Sequence, residues 1–330
     1  MVNLPKPGQF LTSAQACPVC ATPERRVVAT HARDGSALTT VMCTGCGLVH
    51  SHPMPSAAEL DAFYASQYRA AYKGTLTPKL KHALRYATSA IARVQRLRAV
   101  LPQGAAVLDV GAGSGEFLYS AAQAGFVASG LEPHEGYSRY VRERYNLPVT
   151  NATITTAHFA PASFDAITLN HVLEHLPDPV GALSQLNAWL KPEGVLFVEV
   201  PDIANDTHAP SRRYHYAHVY NYNAVTLQAV LTKSGFTVLP TKCRKPTSVL
   251  ARKTGAPTPE LILADRLNYE MLWDRIGKAT DLQHHLGWNP YHRIMSKALR
   301  YPAEWLLTRR FKSSEDILKQ AIEKAQLRSS

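Results

Sequence analysis

Short apolar runs alternate with amphipathic stretches through the middle of the chain. The runs predict strands at 106–110, 127–131, 148–151, 166–169 and 195–200, and the stretches between them predict helices at 115–124, 136–145 and 179–189. Such alternation produces a mostly parallel sheet covered on both faces. Upstream, Leu80, Leu84, Ala87, Ile91, Val94, Leu97 and Leu101 recur at three- and four-residue intervals, which predicts a helix over 78–100. Downstream, a helix at 224–234 precedes strands at 236–241 and 248–251. The link between these strands is too short for a crossover helix, so they form an antiparallel hairpin. Toward the N-terminus, 25–30 and 38–42 read as two strands about the Asp34-Gly35 turn. Ser56 and Glu59 read as a capping box opening a helix over 57–65. The last residues predict helices at 259–273, 274–285 and 290–308, with Pro302 interrupting the third.

The first predicted strand of the alternating region ends in Asp109-Val110-Gly111-Ala112-Gly113-Ser114-Gly115. Glycines there let the backbone turn tightly and approach a ligand, and the next helix opens with free N–H groups. Glu132 closes the second apolar run, 21 residues beyond Gly111, about where a carboxylate meets a ribose diol. An adenosine cofactor is implied. Glu116 stands where G-x-G-x-x-G has its last glycine, and no Lys-Ser/Thr follows the loop, so neither the dinucleotide nor the P-loop pattern is complete.

Four of the five cysteines form Cys17-Pro18-Val19-Cys20 and Cys43-Thr44-Gly45-Cys46. Two such knuckles bring four thiolates to the corners of a tetrahedron, the closed structural site that zinc accepts. Two disulfides or an iron–sulfur centre are the other readings of the spacing. With all four ligands from protein, the zinc serves folding and leaves no catalytic position.

The glycine loop, Glu132, Phe164-Asp165-Ala166-Ile167-Thr168-Leu169-Asn170-His171-Val172-Leu173-Glu174-His175-Leu176-Pro177-Asp178-Pro179 and Leu190-Lys191-Pro192-Glu193-Gly194 together resemble the class I S-adenosylmethionine-dependent methyltransferases over about residues 105–240. The cysteine module and the segment Gly47-Leu48-Val49-His50-Ser51-His52-Pro53-Met54-Pro55, with Phe63-Tyr64 and Tyr68, resemble the zinc-ribbon-bearing members, among them sugar C-methyltransferases. The resemblance implies a Rossmann-like α/β methyltransferase sheet with an antiparallel last strand, an N-terminal zinc ribbon and a C-terminal helical extension. The corresponding divisions are 1–55 (ribbon), 56–104 (helical linker and lid, with Tyr68 and Tyr72 over the methionine end), 105–254 (S-adenosylmethionine-binding domain) and 255–330 (extension).

For S-adenosylmethionine the resemblance implies that Gly111, Gly113 and Gly115 receive the methionine carboxylate. Asp109 attracts the amino group, Glu132 takes the ribose hydroxyls, and Asn170 lies on the cofactor side of the sheet edge. The metal ligands are Cys17, Cys20, Cys43 and Cys46. No acid stands between Glu143 and Asp165, where many relatives have one for adenine, which leaves backbone groups and Asn151 or Thr153 for that task. His218 leads a segment resembling the His-x-x-x-aromatic stretch of the sugar C-methyltransferases and is the candidate base, a role suited to imidazole. His175, one helical turn from His171, is the candidate orienting residue.

The chain carries 45% hydrophobic residues and a formal charge of +11. With no long apolar run and no signal-peptide pattern, the reading is a cytoplasmic protein. The charge is uneven: 62–108 holds eight Lys/Arg and no acid, whereas 105–200 holds four basic and ten acidic residues. Basic flanks steer an anionic small-molecule substrate, or nucleic acid, or simply solubilise the chain. Leu299, Trp305, Leu306, Leu307 and Phe311 beside Arg300, Arg309, Arg310 and Lys312 fit weak membrane-surface contact, core packing or a dimer contact, and both monomer and homodimer stay open. The leading expectation is methyl transfer to a hydroxyl, or else a carbon, of a sugar-like or envelope-glycan precursor. An RNA-binding methyltransferase, a non-catalytic nucleic-acid-binding protein and an NAD-dependent oxidoreductase are the competing readings.

Overall fold

The computed structural model describes residues 5–56, 58–60, 80–205, 208–240, 243 and 245–326. The proposed lid tyrosines, Tyr68 and Tyr72, lie outside these residues, as does most of the helix expected over 57–65. Its capping box is described: the amide and hydroxyl of Ser56 donate to Glu59. In chain order the strands are β1 (Phe10–Thr12), β2 (Glu24–His31), β3 (Ala37–Cys43), β4 (Val49–Ser51), β5 (Ala106–Val110), β6 (Val127–Leu131), β7 (Val149–Thr150), β8 (Phe164–Asn170), β9 (Leu190–Glu199), β10 (Tyr220–Asn221), β11 (Phe236–Val238) and β12 (Ser248–Lys253). The α-helices are α1 (Leu80–Arg98), α2 (Glu116–Gln123), α3 (Glu135–Tyr145), α4 (Pro179–Trp189), α5 (Ala224–Lys233), α6 (Arg266–Leu272), α7 (Asp281–Leu286), α8 (Asn289–Thr308) and α9 (Ser314–Lys324).

The chain divides into two compact units, each assembled from separate stretches. One comprises the described parts of 69–170, 188–197 and 295–330; the other, those of 1–68, 171–187 and 198–294. In the first, strands run in the order β9, β8, β5, β6, β7. Pairing of β5 with β6 and β8, and of β6 with β7, is parallel. Val107, Leu108, Ala166, Ile167 and Leu169 are buried, as expected for strands covered on both faces. The apolar stripe of α1 is buried at Ala83, Ala87, Ala90, Val94 and Leu97. Helix α9 packs against α1 and α2 through Ile317, Leu318 and Ile322. Pro302 lies inside α8 without ending it. A salt bridge from Arg300 to Glu304 spans it and a hydrogen bond from Thr308 Oγ1 to the Glu304 carbonyl follows it, and the proline removes only one ladder donor.

In the second unit, β1, β2, β3, β4 and β10 form an antiparallel sheet in that order. The pair β11–β12 is antiparallel, as the short link requires. It flanks the C-terminal end of β9, where Val200 N–H donates to Thr247 and Ser248 Oγ to Glu199. The helix expected over 259–273 is shorter, beginning at Arg266. Residues 263–265 lie instead along the cysteine knuckles: Leu263 N–H donates to Val19 and Asp265 N–H to Gly45. Tertiary hydrogen bonds override local helix propensity there. Trp273 is buried with the Arg26 guanidinium 3.7 Å over its ring, whereas Trp288 and Trp305 are exposed. Leu299, Leu306 and Leu307 are exposed as well, and no described helix is long and apolar enough to cross a membrane.

Candidate cofactor cradle and histidine cluster

The cradle belongs to the parallel-stranded unit and is built at the C-terminal end of β5. Register brings Asp109 opposite both Gly130 and Thr168, so a side chain from β8 reaches the β5 carboxylate. Thr168 Oγ1 donates to Asp109 Oδ1 at 2.5 Å and Asn170 Nδ2 donates to the same oxygen at 3.2 Å. Burial pushes the Asp109 carboxyl up to about 7, with these hydrogen bonds and Arg93 opposing the shift. Asn170 Oδ1 is buried and without a hydrogen-bond partner among the described residues. An acceptor left in this state beside a carboxylate is suited to an ammonium group.

Gly111, Gly113 and Gly115 all have positive φ, at 73°, 52° and 85°. A Cβ at Gly115 would lie 2.8 Å from Val141 Cγ2, so α2 and α3 approach closely only because that residue is glycine. Glu132, at the end of β6, is buried; Oε2 accepts from Gly113 N–H at 2.9 Å and Oε1 from His134 N–H at 2.8 Å. Burial raises its pKa, offset in part by those two amides. Each oxygen keeps a second lone pair for a hydroxyl. Asn151 donates its amide to the carbonyls of Glu132 and Pro133, and Thr153 shares its hydroxyl with Thr155 and Thr156. Both side chains expected near adenine therefore also tie down the loop itself.

In the other unit the four cysteine sulfurs lie within 4.8 Å of one another. Cys17 and Cys46 sulfurs are 3.7 Å apart, and those of Cys20 and Cys43 are 3.4 Å apart. Tetrahedral zinc with bonds of about 2.3 Å needs sulfurs about 3.8 Å apart, so the donor set fits. Buried Arg25 braces the knuckles, donating to the Thr22 and Gln15 carbonyls and to His50 Nε2. His50 Nδ1 donates to Ser51, which fixes its tautomer, and burial pushes the ring down to about 3.

This unit also gathers the histidines. His175 Nδ1 donates to the Ala217 carbonyl at 2.7 Å. The rings of His175 and His218 are 4.8 Å apart, and those of His215 and His218 are 3.8 Å apart. Burial and neighbouring imidazoles push His218 down to about 2; burial, Arg33 and His175 take His215 to about 4. Both rings are therefore neutral at physiological pH. At their centre is Glu174, 1% exposed, with neither carboxylate oxygen hydrogen-bonded among the described residues. His171, held at φ 57° with its N–H on the Glu199 carbonyl, brings Nδ1 to 3.4 Å from Glu174 Oε1.

Of the expected residues, Asp109, Asn170, Glu132 and the three glycines come together in one unit, and His175 with His218 in the other. Sequence reasoning passed over Thr168 and Glu174. Each interrupts an otherwise apolar run, Ala166-Ile167-Thr168-Leu169 and Val172-Leu173-Glu174. A polar residue in such a run is the signal that would have found them, because it must be partnered once buried.

Over its middle part the chain is similar to methyltransferases. Residues 80–241 match the family model described as a methyltransferase domain. Among curated proteins, the ubiquinone biosynthesis O-methyltransferase of Haemophilus ducreyi is 35% identical over 105 residues, covering 29% of this chain and 44% of that protein. The protein of the same name from Azoarcus sp. is 36% identical over 100 residues, covering 28% and 43%. The chain thus spans less than half the length of these relatives. Among solved structures, a Burkholderia thailandensis 1,6-didemethyltoxoflavin-N1-methyltransferase with bound 1,6-didemethyltoxoflavin and S-adenosylhomocysteine is similar at 19% identity. That match has a TM-score of 0.49 and covers 63% of this chain and 96% of that one.

Proposed function

We propose that the protein transfers a methyl group from S-adenosylmethionine to a hydroxyl of a small, anionic, sugar-like acceptor. The observation that carries this is the cradle: Asp109 with the unpartnered Asn170 Oδ1 for the ammonium, and Glu132 for the ribose hydroxyls. When bound, the cofactor supplies an electrophilic methyl group. The chain holds its polar ends and orients the acceptor for in-line attack. The name of the curated relatives favours oxygen over carbon as acceptor atom, and the basic flanks favour an anionic substrate. His218 is the candidate base for the hydroxyl, with His175, held on the Ala217 carbonyl, as its orienting neighbour. A structural zinc on Cys17, Cys20, Cys43 and Cys46 completes the reading.

The test is purified protein given donor with a labelled methyl group and a panel of nucleotide sugars, phenols and RNA. Transfer to a sugar hydroxyl, with donor binding seen by calorimetry and lost in Glu132→Ala, is the expected result. Label in phenol or RNA alone would overturn the acceptor class. Failure to bind the donor would overturn the activity.

A further inference from the structure

We propose that Glu174, His175 and His218 form a second metal site, for a first-row divalent cation such as zinc, distinct from the cysteine site. One ligand atom from each of the three lies within 4.8 Å of the others. Glu174 Oε1 is 3.9 Å from His175 Nε2 and 4.0 Å from His218 Nε2. The Ala217 carbonyl can only accept, so His175 Nδ1 carries a hydrogen, and Nε2 is the ring atom that faces the carboxylate.

A buried carboxylate and two imidazole nitrogens thus converge. Burying a carboxylate with no hydrogen bond is costly, yet Glu174 is 1% exposed and both of its oxygens lack a hydrogen-bond partner among the described residues. A cation between the carboxylate and the two imidazoles removes that cost. Two imidazoles and one carboxylate select zinc, manganese or iron over calcium or magnesium. Tetrahedral bonds of about 2.1 Å place ligand atoms about 3.4 Å apart, so closure asks each side chain to move by a few tenths of an ångström. The second ring nitrogen of His175 is already oriented by a backbone carbonyl, the usual support for a metal-binding histidine.

Three protein ligands leave a coordination position open, unlike the closed cysteine site. His171 Nδ1, 3.4 Å from the same carboxylate oxygen, is half-exposed and stands beside it. The role of the ion rests on the proposed methyl transfer: an acceptor hydroxyl bound at the open position would be made more acidic, its proton passing to solvent water, as for metal-bound water. The metal site itself stands on the geometry alone.

The experiment is metal analysis of the full-length protein equilibrated with buffered micromolar zinc, with cobalt substitution as the second readout. The expected stoichiometry is two ions per chain, falling to one in Glu174→Gln and in His218→Ala. Cobalt bound by the cysteines gives strong thiolate charge-transfer absorption, and the second equivalent adds only weak visible bands that vanish in Glu174→Gln. One ion per chain in the wild-type protein, or a second ion retained by both variants, overturns the proposal; the wild-type count decides even if a variant fails to fold. Labelled methyl transfer in the same samples separates the two readings. One ion per chain with intact transfer that His218→Asn abolishes discards the metal and keeps His218 as base, whereas two ions without transfer keeps the metal and discards the activity.

Discussion

Asp109 illustrates how one buried carboxylate links stability to ligand binding. Its pKa, up at about 7, exceeds the value of about 3.9 in an unfolded chain, so the folded protein binds this proton more tightly. That contribution to stability is complete below the unfolded value and is lost as pH rises through about 7. Asp109→Asn is therefore expected to reduce the fall in melting temperature of the ligand-free protein between about pH 5 and about pH 8, as differential scanning calorimetry would measure. An ammonium group beside the carboxylate favours its ionised form. Cofactor binding to the wild-type protein should release protons near neutral pH, and the variant should lose that release. The position of Asp109 in a buried strand just before the glycines was legible in the sequence. Its titration was not, because that depends on Thr168 and Asn170, about sixty residues away in sequence, meeting it across a strand pair.

At the scale of elements, the cysteine knuckles are not an independent module. Asn268, buried on α6, donates to the Cys46 carbonyl at 2.8 Å and accepts from Asn223, the N-cap of α5, at 2.6 Å. Gly47 makes room for this contact, since a Cβ there would lie 2.9 Å from Asn268 Nδ2. Asn268→Leu keeps the volume but strips both partners of their hydrogen bonds. It is expected to cost about 2 kcal/mol and lower Tm by several degrees, with faster release of the cysteine-bound metal to a chelator. A normal melting curve would show the bridge to be dispensable. Helices and strands of the alternating region follow their apolar periodicity closely, since burial on a sheet imposes the same spacing that the sequence displays. Residues 259–265 depart from theirs, because hydrogen bonds to the knuckles compete successfully with a helix.

For the whole molecule, the cofactor cradle and the cysteine site belong to different compact units. A variant with Cys17→Ser and Cys43→Ser should lose one metal ion per chain and melt at lower temperature. Its donor affinity, measured by calorimetry under conditions where it remains folded, should stay within about threefold, a change of well under about 1 kcal/mol. A much larger loss would mean that the metal module supports the cradle directly. The sequence by itself determined the order of strands and helices in the alternating region, the glycine turn, the carboxylates at the strand ends and the two cysteine pairs, because each is written in local spacing or residue type. Tertiary structure alone decided that Thr168 meets Asp109, that Asn268 ties α5 to the knuckles, and that a buried Glu174 faces two imidazoles. Those encounters are set by sheet register and by chain segments distant in sequence, and local periodicity carries no record of either.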